Sequence, residues 1–310
     1  MDFNTPSPSP IDPVPADRFP RVRQVLGVLL MAVLGGSMLG VLIYAWVAYM
    51  AGWNYSVTDA AGVLPDMTDR AGRDQTRLLL GLNHFCMFVL PGLFTLFIFY
   101  NRPGSPMATY LGADTRPSLR LLFQGIGVML VSLPVVLFTY ELNRAIPLPD
   151  LLHQMESDTS ETLKKLLVME NGVELLANLI VIALLPGIGE ELIFRGILQQ
   201  QLQRRLPAPW MAIALTAVIF SAIHLQFEGF IPRLLLGLLL GWLYWRTQNF
   251  WVPATAHFCN NALQVVMQYL YGRQYSTIDL EKDVAIPWQM VAVSVVLTFL
   301  IIRQIEQNPR

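Results

Sequence analysis

Residues Leu175–Gly196, LLANLIVIALLPGIGEELIFRG, begin as an apolar run and end in Pro186, Glu190, Glu191 and Arg195. A helix crossing a bilayer needs about 20 predominantly apolar residues, and this stretch has that length. Ionisable groups inside such a segment are expensive and are retained mostly for function. The stretch therefore predicts a membrane helix with a chemically active polar end.

Working outward, the same apolar character recurs along the chain. Runs near 25–50, 78–100, 120–140, 209–226, 230–247, 250–271 and 286–303 join 175–196 to make eight. The 310 residues are 54% hydrophobic and only 14% charged, with mean hydropathy +0.47. Soluble domains carry roughly 25% charged residues, so a soluble globule is excluded, as are disorder and collagen. The expected fold is all-α: a polytopic transmembrane helical bundle of about eight spanning helices. Cys86 and Cys259 both lie in apolar runs, which argues against a disulfide framework. A net charge of −1 offers no basic field for nucleic acid. The partner this composition implies is the lipid bilayer.

Residues 1–20 read as a disordered Pro-rich arm, and Asp2, Asp12 and Asp17 argue against a secretory signal. Two polar connections follow, 51–77 and 145–173. In the second, Asp158 and Glu161 have capping-box spacing and Leu163, Leu166 and Leu167 share a face, predicting an interfacial helix near 158–169. Gly36/Gly40 and Gly237/Gly241 permit close helix packing, most simply within the bundle. Even-numbered spans and a small excess of Lys and Arg on the side of the termini predict a multi-pass protein of the plasma (inner) membrane with both termini cytoplasmic.

The scarce polar groups gather in three runs. On a helix, Glu191 and Arg195 are four apart and can pair, while Glu190 points about 100° away with no cation in its own segment. A buried carboxylate without a partner suits proton exchange. Pro186, four residues before Glu190, donates no backbone hydrogen bond and should kink the helix there. Phe220 and His224 form the second pair and His257 and Asn261 the third, each spaced four apart. An imidazole and an amide converging could polarise a carbonyl or hold an oxyanion. The plainer readings are that Glu191–Arg195 is structural, that His84 beside Asn83 belongs to an interface or to packing, and that His153 is on the surface. Depth poses a condition: for Glu190 and His224 to share a site, the fourth helix must continue past Arg195 through Ile197, Leu198 and Leu202, toward Arg205.

Glu-Glu-x-x-x-Arg, Phe-x-x-x-His and His-x-x-x-Asn, in that order and each in an apolar run, resemble the CPBP intramembrane proteases, the CAAX-processing and bacteriocin-processing (ABI) enzymes. The likeness covers roughly 175–271. It implies a catalytic core of four helices around a polar cavity over 174–272, preceded by membrane helices over 21–173 and followed by a helix and tail over 273–310. It implies a membrane-embedded endopeptidase in which Glu190 and His224 activate a water. His257 and Asn261 would then stabilise the oxyanion, with Glu191, Arg195 and Phe220 in support. Members are described both as metalloproteases and as glutamate-dependent enzymes. Glu190, His224 and His257 could together hold zinc or another divalent metal, although the chain has no His-Glu-x-x-His motif. The implied substrate is a peptide or a membrane-protein segment. A prenylated Cys-a-a-X peptide is the family's eukaryotic class, and nothing in this chain reads a prenyl group. Two competing readings are a non-proteolytic scaffold or binder retaining the fold, and a proton-coupled transporter. The latter predicts internal repeats, which the chain lacks.

Overall fold

The computed structural model describes residues 20–53, 64–277 and 286–308. The Pro-rich arm, save Pro20, lies outside them. Each of the eight apolar runs is helical, and among the described residues there is no strand. The helices are α1 Val22–Met50, α2 Arg70–Tyr100, α3 Leu119–Arg144, α4 Asp150–Leu166, α5 Gly172–Gln203, α6 Pro209–Ala222, α7 Phe230–Thr247, α8 Trp251–Gly272 and α9 Trp288–Gln307. Helix α2 contains a π turn at Phe85–Val89, and α5 contains two, at Leu179–Leu184 and Phe194–Gln199.

Helices α1, α2, α3, α5 and α9 are each long and apolar enough to cross a membrane. Only 17% of the apolar window of α1 and 11% of that of α9 is buried in the fold. Leu30, Met31 and Leu34 on α1, with Val293, Val296 and Leu297 on α9, face outward. Apolar surface on this scale is unsustainable in water and natural against lipid. The chain is an all-α polytopic integral membrane bundle. Helix α6 has only 14 residues, and α7 and α8 dilute their apolar content with Arg233, Arg246, His257, Asn260 and Asn261.

Two helices start earlier than the sequence predicts. Helix α2 begins at Arg70, two turns ahead of its apolar run, with Asp69 capping through Gly72 N at 2.8 Å. Arg73 and Arg77 on those turns are buried, because partners on α5 receive them. Helix α4 begins at Asp150, with Pro149 at its N-cap, so Asp158 and Glu161 lie inside it rather than capping it. Pro149 ends the preceding loop and, with no N–H to donate, suits a helix entry.

Helices α2 and α5 run parallel in a constant register. Arg73–Glu174, Arg77–Asn178 and Tyr100–Gln201 are all separated by 101 residues, at 3.5, 2.8 and 2.7 Å. Helices α5 and α7 run parallel at a separation of 42: Arg195 donates to the Gly237 carbonyl and Gln199 to that of Gly241. Both parallel pairs agree with a chain that reverses direction from each of α1, α2, α3, α5, α6, α7 and α8 to the next. The small residues serve this packing internally. Gly36 and Gly40 lie against Cys86 and Asn83 of α2, and Gly237 and Gly241 against Ala217 and Gln199.

Glu174 is the hub of the α2–α5 clamp. Its carboxylate is 1% exposed and meets Arg73 and Arg77, while Asn171, capping α5 through Val173 N and Glu174 N, also donates to it. Removing one partner of a buried ion pair leaves the other charge uncompensated. Glu174→Ala should therefore cost about 3–5 kcal/mol of stability, measured by unfolding of the purified protein in detergent; an exposed control, Asp150→Ala, should leave stability nearly unchanged.

Candidate functional site

Helix α5 does not end at Arg195. It continues through the π turn Phe194–Gln199 to Gln203, so Glu190 lies well inside it. Pro186 provides no N–H to the Ile182 carbonyl one turn back. Asn261 Nδ2, from α8, donates to that carbonyl at 3.3 Å instead. Gly187 lets α8 approach: a Cβ there would sit 3.1 Å from Phe258 Cα. Pro186 and Gly187 thus draw α8 against the turn that carries the carboxylates.

Glu190, Glu191, Arg195 and His257 are all buried. One oxygen of Glu191, Oε1, accepts from Arg195 Nη1 at 2.9 Å and from His257 Nδ1 at 2.8 Å. Arg195 also donates to the Gly237 carbonyl at 3.1 Å and lies 4.9 Å from the centre of the Phe220 ring. Glu191 is therefore both the Arg195 partner the sequence predicts and the residue that orients His257. With Nδ1 held, the other nitrogen of His257 turns to Glu190, 4.0 Å from Oε2. The Glu190 carboxylate takes no hydrogen bond among the described residues, and its ion-pair contact there is the 4.0 Å approach of His257.

His224 does not sit on α6, as the sequence predicts. That helix ends at Ala222, and His224 lies in the turn beyond it, before Leu225 at φ +53°. Its Nδ1 donates to the Phe220 carbonyl at 2.7 Å, which leaves Nε2 as the unprotonated nitrogen of the neutral ring. Phe220 meets His224 edge-on at 5.1 Å and His257 at 6.0 Å, so one aromatic ring spaces the two imidazoles. The His224 turn is strapped down from several helices: Asn143 of α3 donates to the Phe227 carbonyl, Arg233 of α7 to Gln226, and Glu228 N to Glu156 of α4 at 3.4 Å.

Asn261 is engaged at both ends, donating to Ile182 and accepting from Asn260 Nδ2 at 3.2 Å. Its neighbour Asn260 is buried with an unpartnered Oδ1. Glu190, His224 and His257 do not form a three-ligand set: among the described residues no three His, Cys, Asp or Glu side chains converge as a metal-binding group. The donor geometry does not fit the zinc site that the resemblance leaves open.

Two residues escape the sequence reading. His84 on α2, assigned there to packing or an interface, lies on the far side of α5 with Nε2 buried and in no close hydrogen bond. Arg233, at the start of α7, lies within electrostatic reach of Glu190 and His224. Its signal was an arginine at the mouth of an apolar helix; that of His84 requires the α2–α5 register. These polar groups come from α5, the α6–α7 turn, the start of α7 and α8, with His84 of α2 beside them. A surface hollow of about 650 Å³ lies elsewhere, lined by Arg21, Val22, Arg23, Leu26 and Arg205.

Comparison with known proteins converges on this region. Residues 172–263 match the family model described as type II CAAX prenyl endopeptidase Rce1-like. The chain is 31% identical over 116 residues to a Bacillus subtilis (strain 168) protein named "Putative membrane peptidase YdiL", covering 37% of this chain and 46% of that one. It is 34% identical over 90 residues to the "Uncharacterized protein YpbD" of the same organism, covering 28% and 43%. The chain thus spans a little under half the length of the curated relatives it matches. No solved structure matches. Residues 172–263, which carry Glu190, Glu191, Arg195, His224, His257 and Asn261, are thus similar to the Rce1-like family.

Proposed function

We propose that the protein is an intramembrane endopeptidase that hydrolyses a peptide bond by Glu190-assisted water attack. The observation that carries this reading is the pair of adjacent buried carboxylates separated by one imidazole: Glu191 holds His257 at 2.8 Å, and His257 presents its other nitrogen 4.0 Å from an otherwise free Glu190. A structural ion pair accounts for Glu191 and Arg195 and leaves Glu190 unexplained.

In this mechanism Glu190 takes a proton from water as the water oxygen adds to the peptide carbonyl carbon. The carbonyl π pair moves onto oxygen, forming a tetrahedral oxyanion. His224, whose Nε2 is unprotonated, holds the water, and His257 faces the developing charge. Collapse re-forms the carbonyl and breaks the C–N bond, and the proton on Glu190 passes to the departing amine. Glu191 and Arg195 hold the frame, and Phe220 keeps the imidazoles apart. Asn261 contributes to the oxyanion only when it leaves the Ile182 carbonyl. The substrate is a peptide or a membrane-protein segment entering from the bilayer.

Purified protein in detergent, offered a mixed peptide library and read by mass spectrometry, tests the reaction. Glu190→Gln removes the base and preserves shape, so it should lower hydrolysis by roughly 10²–10⁴-fold with no loss of stability; wild-type turnover by that variant would refute the assignment.

For location, we infer a plasma (inner) membrane protein with both termini cytoplasmic. Counting all eight apolar helices as passes puts both termini on one side, and the Lys and Arg bias favours the cytoplasm for that side. Reporter fusions at the two ends check it: a fluorescent protein that folds only in the cytoplasm should be bright at both, and an alkaline phosphatase that folds only outside should be silent at both.

A further inference from the structure

Three of the four histidines of this chain, His84, His224 and His257, lie within electrostatic reach of one another, and the mechanism above employs two. We propose that His84 is a further positioning residue of the site, setting the α5 turn on which Glu190 sits; the inference rests on the hydrolase reading of that site.

The turn ahead of Glu190 is weak by itself. Pro186 lacks an N–H, and Gly187 and Gly189 offer no side chain. Neighbouring helices restore what is missing, from two sides. Helix α8 closes over Gly187 and supplies Asn261 to the Ile182 carbonyl. Helix α2 closes over Gly189, where a Cβ would lie 2.9 Å from Phe88 Cβ, 3.0 Å from Val89 Cγ2 and 3.3 Å from His84 Nε2. Only glycine admits that wall.

The His84 ring is itself fixed. It stacks on Phe88 at 4.5 Å and 18°, at the entry to the π turn Phe85–Val89. Single π turns inside α-helices are frequent at functional sites, because they re-aim the side chains around them. The 101-residue register between α2 and α5 sets His84 opposite Leu185. Its Nε2 is buried with no close hydrogen bond, the ring makes a longer polar contact with the Leu185 backbone, and His224 and His257 lie within electrostatic reach. A ring present only to fill space would serve better as phenylalanine, which carries no nitrogen to desolvate. His84 therefore acts through Gly189, holding the Glu190 carboxylate at its distance from His257.

The test compares His84→Phe, which keeps the stack and removes Nε2, with His84→Gln, which returns a polar atom near that position. His84→Phe should lower kcat by about 10–100-fold, as small displacements of a catalytic group do, with KM changed less than about twofold and melting unaltered. His84→Gln should restore most of kcat. Gly189→Ala, which drives a methyl into His84 and Phe88, is the second variant and should lower kcat likewise. The imidazole ¹⁵N resonances of His257 provide a readout independent of turnover: they should move in His84→Phe and stay at wild-type positions in His84→Gln. Wild-type kcat and an unmoved His257 signal in His84→Phe overturn the inference while leaving the hydrolase reading intact. If Glu190→Gln instead turns over like wild type, the hydrolase reading falls, and the His257 spectrum alone decides whether His84 positions this turn.

Discussion

A single carboxylate oxygen, Glu191 Oε1, holds the interior of this bundle together. It accepts from Arg195 on its own helix and from His257 on α8, and Arg195 reaches on to the Gly237 carbonyl of α7. Three helices are thereby joined at one depth. In a medium that cannot solvate charge, neither Glu191 nor Arg195 is tolerable alone, so their mutual neutralisation fixes where α7 and α8 stand against α5. Everything at the site follows from that placement: the ring of His257 is held by one nitrogen, and its other nitrogen is turned toward Glu190.

The remaining architecture delivers α5 to that position. Buried polar clamps secure it to α2 at both ends, Arg73, Arg77 and Glu174 at one and Tyr100 and Gln201 at the other. Between the clamps the helix is deliberately irregular. Two π turns and Pro186 break its hydrogen-bond ladder, and Gly187 and Gly189 thin its faces. The irregular stretch is the one that carries Glu190. Strong ends and a weak middle, repaired by neighbouring helices, let three other helices crowd one carboxylate without leaving it a partner of its own.

Much of this was legible in the sequence because charge is scarce in it. Apolar runs located the helices, and the few ionisable groups inside them, Glu190, Glu191, Arg195 and His257, are the residues that meet. What was hidden depends on contacts far apart in the chain. The early start of α2 could not be read, because Arg73 and Arg77 look solvated until Glu174, about a hundred residues later, receives them. The departure of His224 from α6 is set by the strapping of its turn from α3, α4 and α7. Capping-box spacing misled at Asp158, since Pro149 had already started α4. His84 looked like packing because only the parallel register of α2 with α5 carries it to Gly189. Asn261 matched a motif, but its amide meets the carbonyl that Pro186 leaves open, a pairing spacing alone does not reveal.

The central claim is that Glu191 and His257 act as one unit that frames Glu190. A double-mutant cycle on unfolding free energy measures this most directly, using Glu191→Gln, His257→Phe and the double variant of the purified protein in detergent. Residues in direct buried contact should couple by roughly 0.5–3 kcal/mol, with the double variant far less destabilised than the two single losses added. Simple additivity of the two losses would show that the imidazole and the carboxylate do not hold each other, and would contradict the account.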